Sequence, residues 1–271
     1  MEYRARMVLG VSLGITTWSG AASRVFAQGP PDYDFQWTTI GNVGNAPYTS
    51  SNPADFRING RGRVDYAFRA SRLEITTAQW VEFLNAFASI PGVPLDNSGP
   101  QYWGGRPSGI DPTTGRTIWH VSALIPNAAQ LPVSAVSWYD AARYCNWLTN
   151  SKQANLAALR TGSYDTTTWG GNPDGTLTDA PHRTPGAMFF MPTLDEWLKA
   201  SHYDPNRSAP GQGGYWQYKN RSDSPGVPGP PGTGTTSAGY QPGGDDSLAW
   251  FIPLGAYADQ QSAYGLWDTS G

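Results

Sequence analysis

The chain has 271 residues, of which 39% are hydrophobic, 13% aromatic and only 14% charged, a composition that excludes a disordered polyelectrolyte and suits one large core. A formal net charge of −3 with no cluster of Lys and Arg argues against nucleic acid as a partner, because phosphate binding needs grouped cations that release counterions. The counts of 32 Gly, 23 Pro and a single Cys rule out an internal disulfide and predict a loop-rich domain held by packing.

The first segment, residues 1–27, reads as a secretory leader. Arg4 and Arg6 precede an uncharged stretch over residues 7–23, and Val25-Phe26-Ala27 offers small residues at alternate positions for signal peptidase. A membrane helix is the competing reading, but Gly10, Gly14 and Gly20 make the stretch marginal in length and hydrophobicity for a span. The expectation is therefore an exported protein (periplasmic, cell-surface or secreted) with one domain over residues 28–271 and no transmembrane span in the mature chain.

Three short helices are marked by their start signals. Thr76 caps the first, Gln79 completes a capping box, and Ile75 with Trp80 forms a hydrophobic staple. Trp80, Phe83, Leu84 and Phe87 share one face, and the helix is expected to run to about Ala88. The second starts at Ser137 with Asp140 in the capping-box position, carries Trp138, Ala141, Ala142, Cys145 and Leu148 along one side, and ends near Thr149. The third starts at Thr193 with Glu196 closing a Thr-x-x-Glu box, and Leu194, Trp197 and Leu198 supply its inward face.

Strands are expected over Val64 to Leu73, where Val64, Tyr66, Phe68 and Ala70 alternate, and over Ala187 to Met191. From Asp204 to Asp246 the chain is dense in Gly, Pro, Ser and Thr, which predicts a long surface loop without ladder or helix. Two readings of it stay open: a disordered insertion, or an ordered loop stitched down by Trp216, Tyr218 and Tyr240.

Candidate chemistry is sparse. His120, His182 and His202 fall in no compact ligand spacing, so each reads as a surface or packing residue. The stretch from Asn172-Pro173-Asp174-Gly175 to Asp179 lacks the alternating oxygen ligands and final Glu of a calcium loop and reads as a turn. Gly104-Gly105 and Gly213-Gly214 read as turn glycines rather than a phosphate cradle. Cys145 lies on an apolar helix face, where burial raises the pKa of a thiol and makes it inert. The 12 Trp could form a core or a sugar-stacking platform.

Four ordered segments carry a resemblance. They are Phe68-Arg69-Ala70-Ser71-Arg72-Leu73-Glu74-Ile75-Thr76-Thr77-Ala78-Gln79-Trp80-Val81-Glu82-Phe83-Leu84-Asn85, then Leu131-Pro132-Val133-Ser134-Ala135-Val136-Ser137-Trp138-Tyr139-Asp140-Ala141-Ala142-Arg143-Tyr144-Cys145-Asn146-Trp147-Leu148. Phe190-Met191-Pro192-Thr193-Leu194-Asp195-Glu196-Trp197-Leu198-Lys199-Ala200 and Tyr264-Gly265-Leu266-Trp267-Asp268-Thr269-Ser270-Gly271 follow. Together they resemble the formylglycine-generating-enzyme, or sulfatase-modifying-factor, family over roughly residues 35–271, with Thr77 where that family usually has Asn.

The resemblance implies an α+β domain, a loop-rich variant of the C-type-lectin-like fold. It also implies that active relatives oxidise a sulfatase cysteine to formylglycine, using copper(I) held by two thiolates, a soft-ligand pair suited to that ion. Those cysteines are expected beyond Gly271, as if the domain were cut before its reactive segment. Cys145 matches a helix-core position instead, so no catalytic, cofactor-binding or metal-binding residue is assigned to this chain. Calcium sites of active members are implied near the final loop, where Gly239 and Gly271 offer no side-chain oxygen. Expected partners are a client protein or peptide, or a glycan.

Overall fold

A computed structural model describes residues 10–12, 31–96, 99–100, 102–170, 172–174, 178, 182–244 and 251–269. Strands β1 (Gly10–Ser12), β2 (Trp37–Ile40) and β3 (Phe68–Ser71) form an antiparallel sheet in the order β1-β3-β2. Helix α1 (Thr77–Ala86) leads into the ribbon of β4 (Gly105–Ile110) and β5 (Thr117–Val121), which is followed by α2 (Trp138–Thr149) and the single turn α3 (Ala157–Arg160). Helix α4 (Leu194–His202) runs directly into the hairpin of β6 (Tyr203–Ala209) and β7 (Gln212–Tyr215). Short helices, small antiparallel sheets and long irregular stretches make this an α+β protein, as expected.

The helix starts follow from local chemistry. Thr76 accepts from the amide of Gln79 while the Gln79 side chain accepts from the Thr76 amide, and Thr193 with Glu196 repeats the arrangement, so both boxes are closed. Ser137 accepts from the Asp140 amide, but the box stays half-made because the Asp140 carboxylate turns to Arg143 at 2.9 Å. The first helix stops at Ala86, two residues short of the expected end, with Phe87 and Ala88 continuing as a turn.

The principal core lies between α1 and α2. Phe83 meets Tyr144 edge-on at 5.1 Å, and the Phe83–Trp147 and Trp80–Tyr144 pairs are tilted at 5.3 Å and 5.4 Å. A smaller cluster joins β2 and β3 to α4 and the C-terminal stretch through Ile40, Val64, Phe68, Ala70, Ala200 and Leu266. Polar side chains inside this core act as joints. The Asn85 amide donates to the Trp119 carbonyl at 2.7 Å and accepts from the Trp119 amide at 2.9 Å, so a side chain takes the place of a neighbouring strand along β5. Buried Asn146 likewise donates to the carbonyls of Leu159 and Tyr164 and accepts from the Tyr164 amide, fixing the chain around α3 to α2.

Several expectations need correction. The strand expected from Val64 to Leu73 is only β3, because Arg63 and Asp65 pair with each other beside a turn and Tyr66 is drawn towards Glu196. Residues 187–191 form no strand; Ala187, Phe189 and Phe190 are nonetheless buried in the core. The first part of the stretch after Asp204 is not loop but β6 and β7, closed by Pro210-Gly211, where Pro fixes the first central residue and Gly211 takes φ +75° as a tight turn requires. The described residues that follow, up to Gly244, are tied down by hydrogen bonds: the Tyr218 amide donates to the Ser222 carbonyl, the Gly229 amide to the Thr236 carbonyl, and the Tyr257 hydroxyl to the Gly229 carbonyl at 2.7 Å.

Gly105, Gly213 and Gly214 are strand residues rather than turn glycines. A Cβ on Gly213 would lie 2.0 Å from the Tyr203 hydroxyl, so glycine here admits a neighbouring ring. Trp138 and Leu194 were expected to face inward but are 38% and 39% exposed, since each occupies the first helical position, outside the packed seam.

Candidate functional site

Four groupings of polar, reactive or aromatic side chains stand out among the described residues. Cys145 is wholly buried on α2, and burial pushes its thiol well above the ordinary value, so no thiolate is available from it. The residue sits in the core as the sequence reading has it.

At the start of α4, Glu196 is fully buried. Its carboxylate accepts from the Tyr66 hydroxyl at 2.6 Å, from Arg183 at 2.8 Å and from the Thr193 amide at 2.8 Å, while Arg183 lies over the Phe190 ring at 3.7 Å. Burial, followed by the Glu196 hydrogen bond, pushes the Tyr66 hydroxyl up to about 12. Each oxygen of the carboxylate is committed, so the arrangement holds structure together rather than offering an acid or base. The sequence reading recognised Glu196 only as a cap; Arg183 and Tyr66 lie 13 and 130 residues away and carry no local signal.

On the same helix Lys199 is completely buried and donates to the Asn42 carbonyl at 3.0 Å and the Val64 carbonyl at 3.3 Å. Its loss of hydration lowers the ammonium to about 8. His202, closing α4, places Nδ1 3.0 Å from the Trp216 carbonyl and its ring against Trp197, and burial lowers its pKa. His120, on β5, and His182 lie in other parts of the chain, and no group of three or more His, Cys, Asp or Glu able to hold a metal occurs among the described residues. The stretch from Asn172 to Asp179, expected as a turn, lies only partly within the described residues.

Partly exposed aromatic rings gather at the start of α2. Trp138 contacts Trp169 at 5.3 Å, Tyr139 contacts Trp169 at 4.9 Å, and Arg143 covers the Trp169 ring at 5.1 Å. The rings are tilted or edge-on to one another, which spends their faces on internal contact rather than presenting a flat stacking platform. Beside them, Trp80, Leu84, Asp96, Ser137 and Asp140 border a depression of about 20 Å³, room for little more than a water molecule. A second, of about 10 Å³, lies among Lys219, Thr235, Thr236, Tyr257, Gln260 and Asp268.

None of these groupings makes an active-site constellation, and the helices that hold them, α2 and α4, lie in the second and third motif segments. A match to the sulfatase-modifying factor enzyme 1-like domain spans residues 43–271. The chain belongs to that family. No curated protein and no solved structure matches it.

Family membership gives the observed joints a place. The second motif of this sulfatase-modifying-factor domain is α2 with its cap, and the third is α4 with the closed Thr193–Glu196 box. In the first motif, Thr77 stands where Asn is usual; its buried hydroxyl donates to the Leu131 carbonyl at 3.1 Å and accepts from the Gly104 amide at 2.9 Å, joining α1 to the ribbon. The two-thiolate copper centre implied by the resemblance does not fit the donors in these 271 residues, because the single sulfur nucleophile is sealed between α1 and α2.

Proposed function

We propose that this chain is a non-catalytic recognition module: an exported sulfatase-modifying-factor domain, built as a variant of the C-type-lectin-like fold, that binds peptide or glycan. The observation that carries the reading is the state of Cys145, one buried thiol where the family's oxidation chemistry needs two accessible thiolates. The described part of the loop after β7 supports it, because hydrogen bonds among Gly229, Thr236 and Tyr257 tie an irregular surface together, which lowers the ordering cost of binding.

A second reading is favoured by the family match itself: the chain supplies the scaffold of a copper-dependent oxidase that converts a sulfatase cysteine to formylglycine, with both thiolates supplied from outside these residues. One experiment separates the two. The complete natural protein, with any residues that flank these 271, is titrated with copper(I) against a chromogenic chelator, incubated with a cysteine-containing sulfatase peptide and assayed for aldehyde, then screened against peptide and glycan arrays. The recognition reading expects no stoichiometric copper uptake, no aldehyde and a saturable ligand. Stoichiometric copper with aldehyde formation would overturn it.

A further inference from the structure

Residues 44–64 form a surface loop whose two arms are laced together. The Tyr48 amide donates to the Arg61 carbonyl and the Gly60 amide to the Tyr48 carbonyl, both at 2.8 Å, and the Gly44 amide donates to the Val64 carbonyl at 2.9 Å. The stem is fastened to the body of the domain: the Tyr215 hydroxyl, on β7, donates to the Gly62 carbonyl at 2.8 Å, and the Asp195 carboxylate, on α4, accepts from the Gly62 amide at 2.6 Å. Side chains also fix the tip. Asn52 accepts from the Ala54 amide, Asn59 accepts from the Ser50 amide, and the Tyr48 hydroxyl donates to the Asp55 carboxylate at 2.9 Å.

At that tip Phe56 is 72% exposed and belongs to neither buried cluster. Folding buries little of the ring, so it stabilises nothing inside the domain. A single exposed apolar residue needs no explanation by itself; its charged neighbours set this one apart. The Arg57 guanidinium lies over the ring at 5.3 Å, and no ion pair among the described residues involves Arg57. Asp55, the one carboxylate of the tip, is turned to Tyr48. Down the stem, Arg61 meets Asp195 at 3.0 Å and Arg63 meets Asp65 at 2.8 Å, with the two arginine side chains 47% and 53% exposed, so each keeps N–H donors facing water. An aromatic ring with surplus arginine donors on a pre-shaped loop has the composition of a protein-binding hot spot.

We propose that this tip is the docking surface for an acidic segment of a partner protein, a stretch in which an apolar side chain packs on Phe56 while flanking carboxylates pair with Arg57, Arg61 and Arg63. Charge complementarity selects that occupant, because a guanidinium fork matches a carboxylate and Arg57 has none of its own. A neutral glycan supplies no counter-charge for Arg57 and finds one face of the ring already under the guanidinium. A bilayer demands more apolar area than one ring, and Phe56 is bordered by Asp55 and Arg57, with polar Asn52 and Asn59 close by in the loop. The loop is held in one shape beforehand, so little ordering entropy is lost on docking. The site deepens the recognition reading above by naming a partner class, and rests on it.

The test uses the complete protein in three forms: unaltered, Phe56→Ser and Arg57→Glu. Both positions are exposed, so circular dichroism and the urea midpoint should be the same in all three. Fluorescent peptides of alternating Glu and Leu, alternating Glu and Ser, and alternating Lys and Leu are titrated into each form. Binding to vesicles of phosphatidylcholine and phosphatidylserine is measured alongside. The Glu-Leu peptide should bind the unaltered protein saturably, bind each variant about tenfold or more less tightly, and weaken as salt is raised. The Glu-Ser peptide should bind the unaltered protein about tenfold less tightly than the Glu-Leu peptide, for want of a side chain to pack on the ring, and the Lys-Leu peptide should not bind.

No saturable binding of the Glu-Leu peptide, equal affinity for it in all three forms, or equal binding of the Lys-Leu peptide overturns the proposal. So does binding to vesicles that needs Phe56 while the peptides fail, since the tip is then a lipid contact. Failure of both variants to fold overturns it as well, because the two side chains are then structural. If the Glu-Leu peptide fails while an array ligand binds all three forms equally, this surface falls and the recognition reading stands, whereas copper uptake with aldehyde formation removes that reading whatever the peptides do.

Discussion

Lys199 carries an electrostatic penalty, because two backbone carbonyls replace a full hydration shell around its ammonium. Its folded value of about 8 lies below the ordinary 10.5, so between those values the unfolded chain binds more protons and stability rises with pH. Cys145 and Tyr66, whose folded values are raised, act in the opposite sense at alkaline pH, so the Lys199 contribution is read as a difference. Urea unfolding of the unaltered chain and of Lys199→Met from pH 7 to 10.5 should show the unaltered chain gaining on the order of 1–3 kcal/mol relative to the variant above about pH 8. His202 acts in the same sense at lower pH: its burial lowers the folded pKa below 6.5, so its neutral form is favoured and stability falls as pH drops below that value. Glu196 is the opposite case, a buried charge with every partner in place. Glu196→Ala leaves Arg183 facing Phe190 without a counter-ion and should cost about 3–5 kcal/mol in the same assay. Glu196 is plain in the sequence as a capping residue, but the load it bears comes from Tyr66 and Arg183, which only the folded chain brings to it.

The helices are legible because caps are local. A cap links residues three apart, so Thr76 with Gln79 and Thr193 with Glu196 could be read without knowing the fold. Thr76→Ala and Thr193→Ala should each cost about 1 kcal/mol by urea unfolding. Strands are less legible, because each needs a partner whose position the sequence does not announce. β4 and β5 contain Pro107, Gly105 and Gly109 and carry no alternating pattern; they pair because α1 holds β5 through Asn85. The hairpin of β6 and β7 was hidden in a Gly- and Pro-rich stretch for the same reason. Its glycines make room for Tyr203, and Gly213→Ala should cost about 1–3 kcal/mol through the clash with that ring.

At the scale of the whole molecule, the aromatic seam between α1 and α2 should dominate cooperativity. Phe83→Ala removes contacts to Trp80, Phe87, Tyr144 and Trp147 together and should cost about 3–5 kcal/mol, lowering the midpoint of one transition seen alike by near-UV and far-UV circular dichroism. Cys145 lies in that seam and reports on it. Its reaction with a thiol reagent in the native chain should proceed no faster than global unfolding, and should become immediate in denaturant.

The sequence by itself determined the family, the α+β class, the three capped helices and the core position of Cys145, since each depends on residue type at short, fixed spacing. The tertiary structure decided the rest: which glycines stand beneath rings, which carbonyls receive Lys199, and how Arg183 and Tyr66 converge on Glu196. Those relations join residues tens to more than a hundred positions apart, and a contact across that distance exists only once the chain has closed on itself and expelled the water between them.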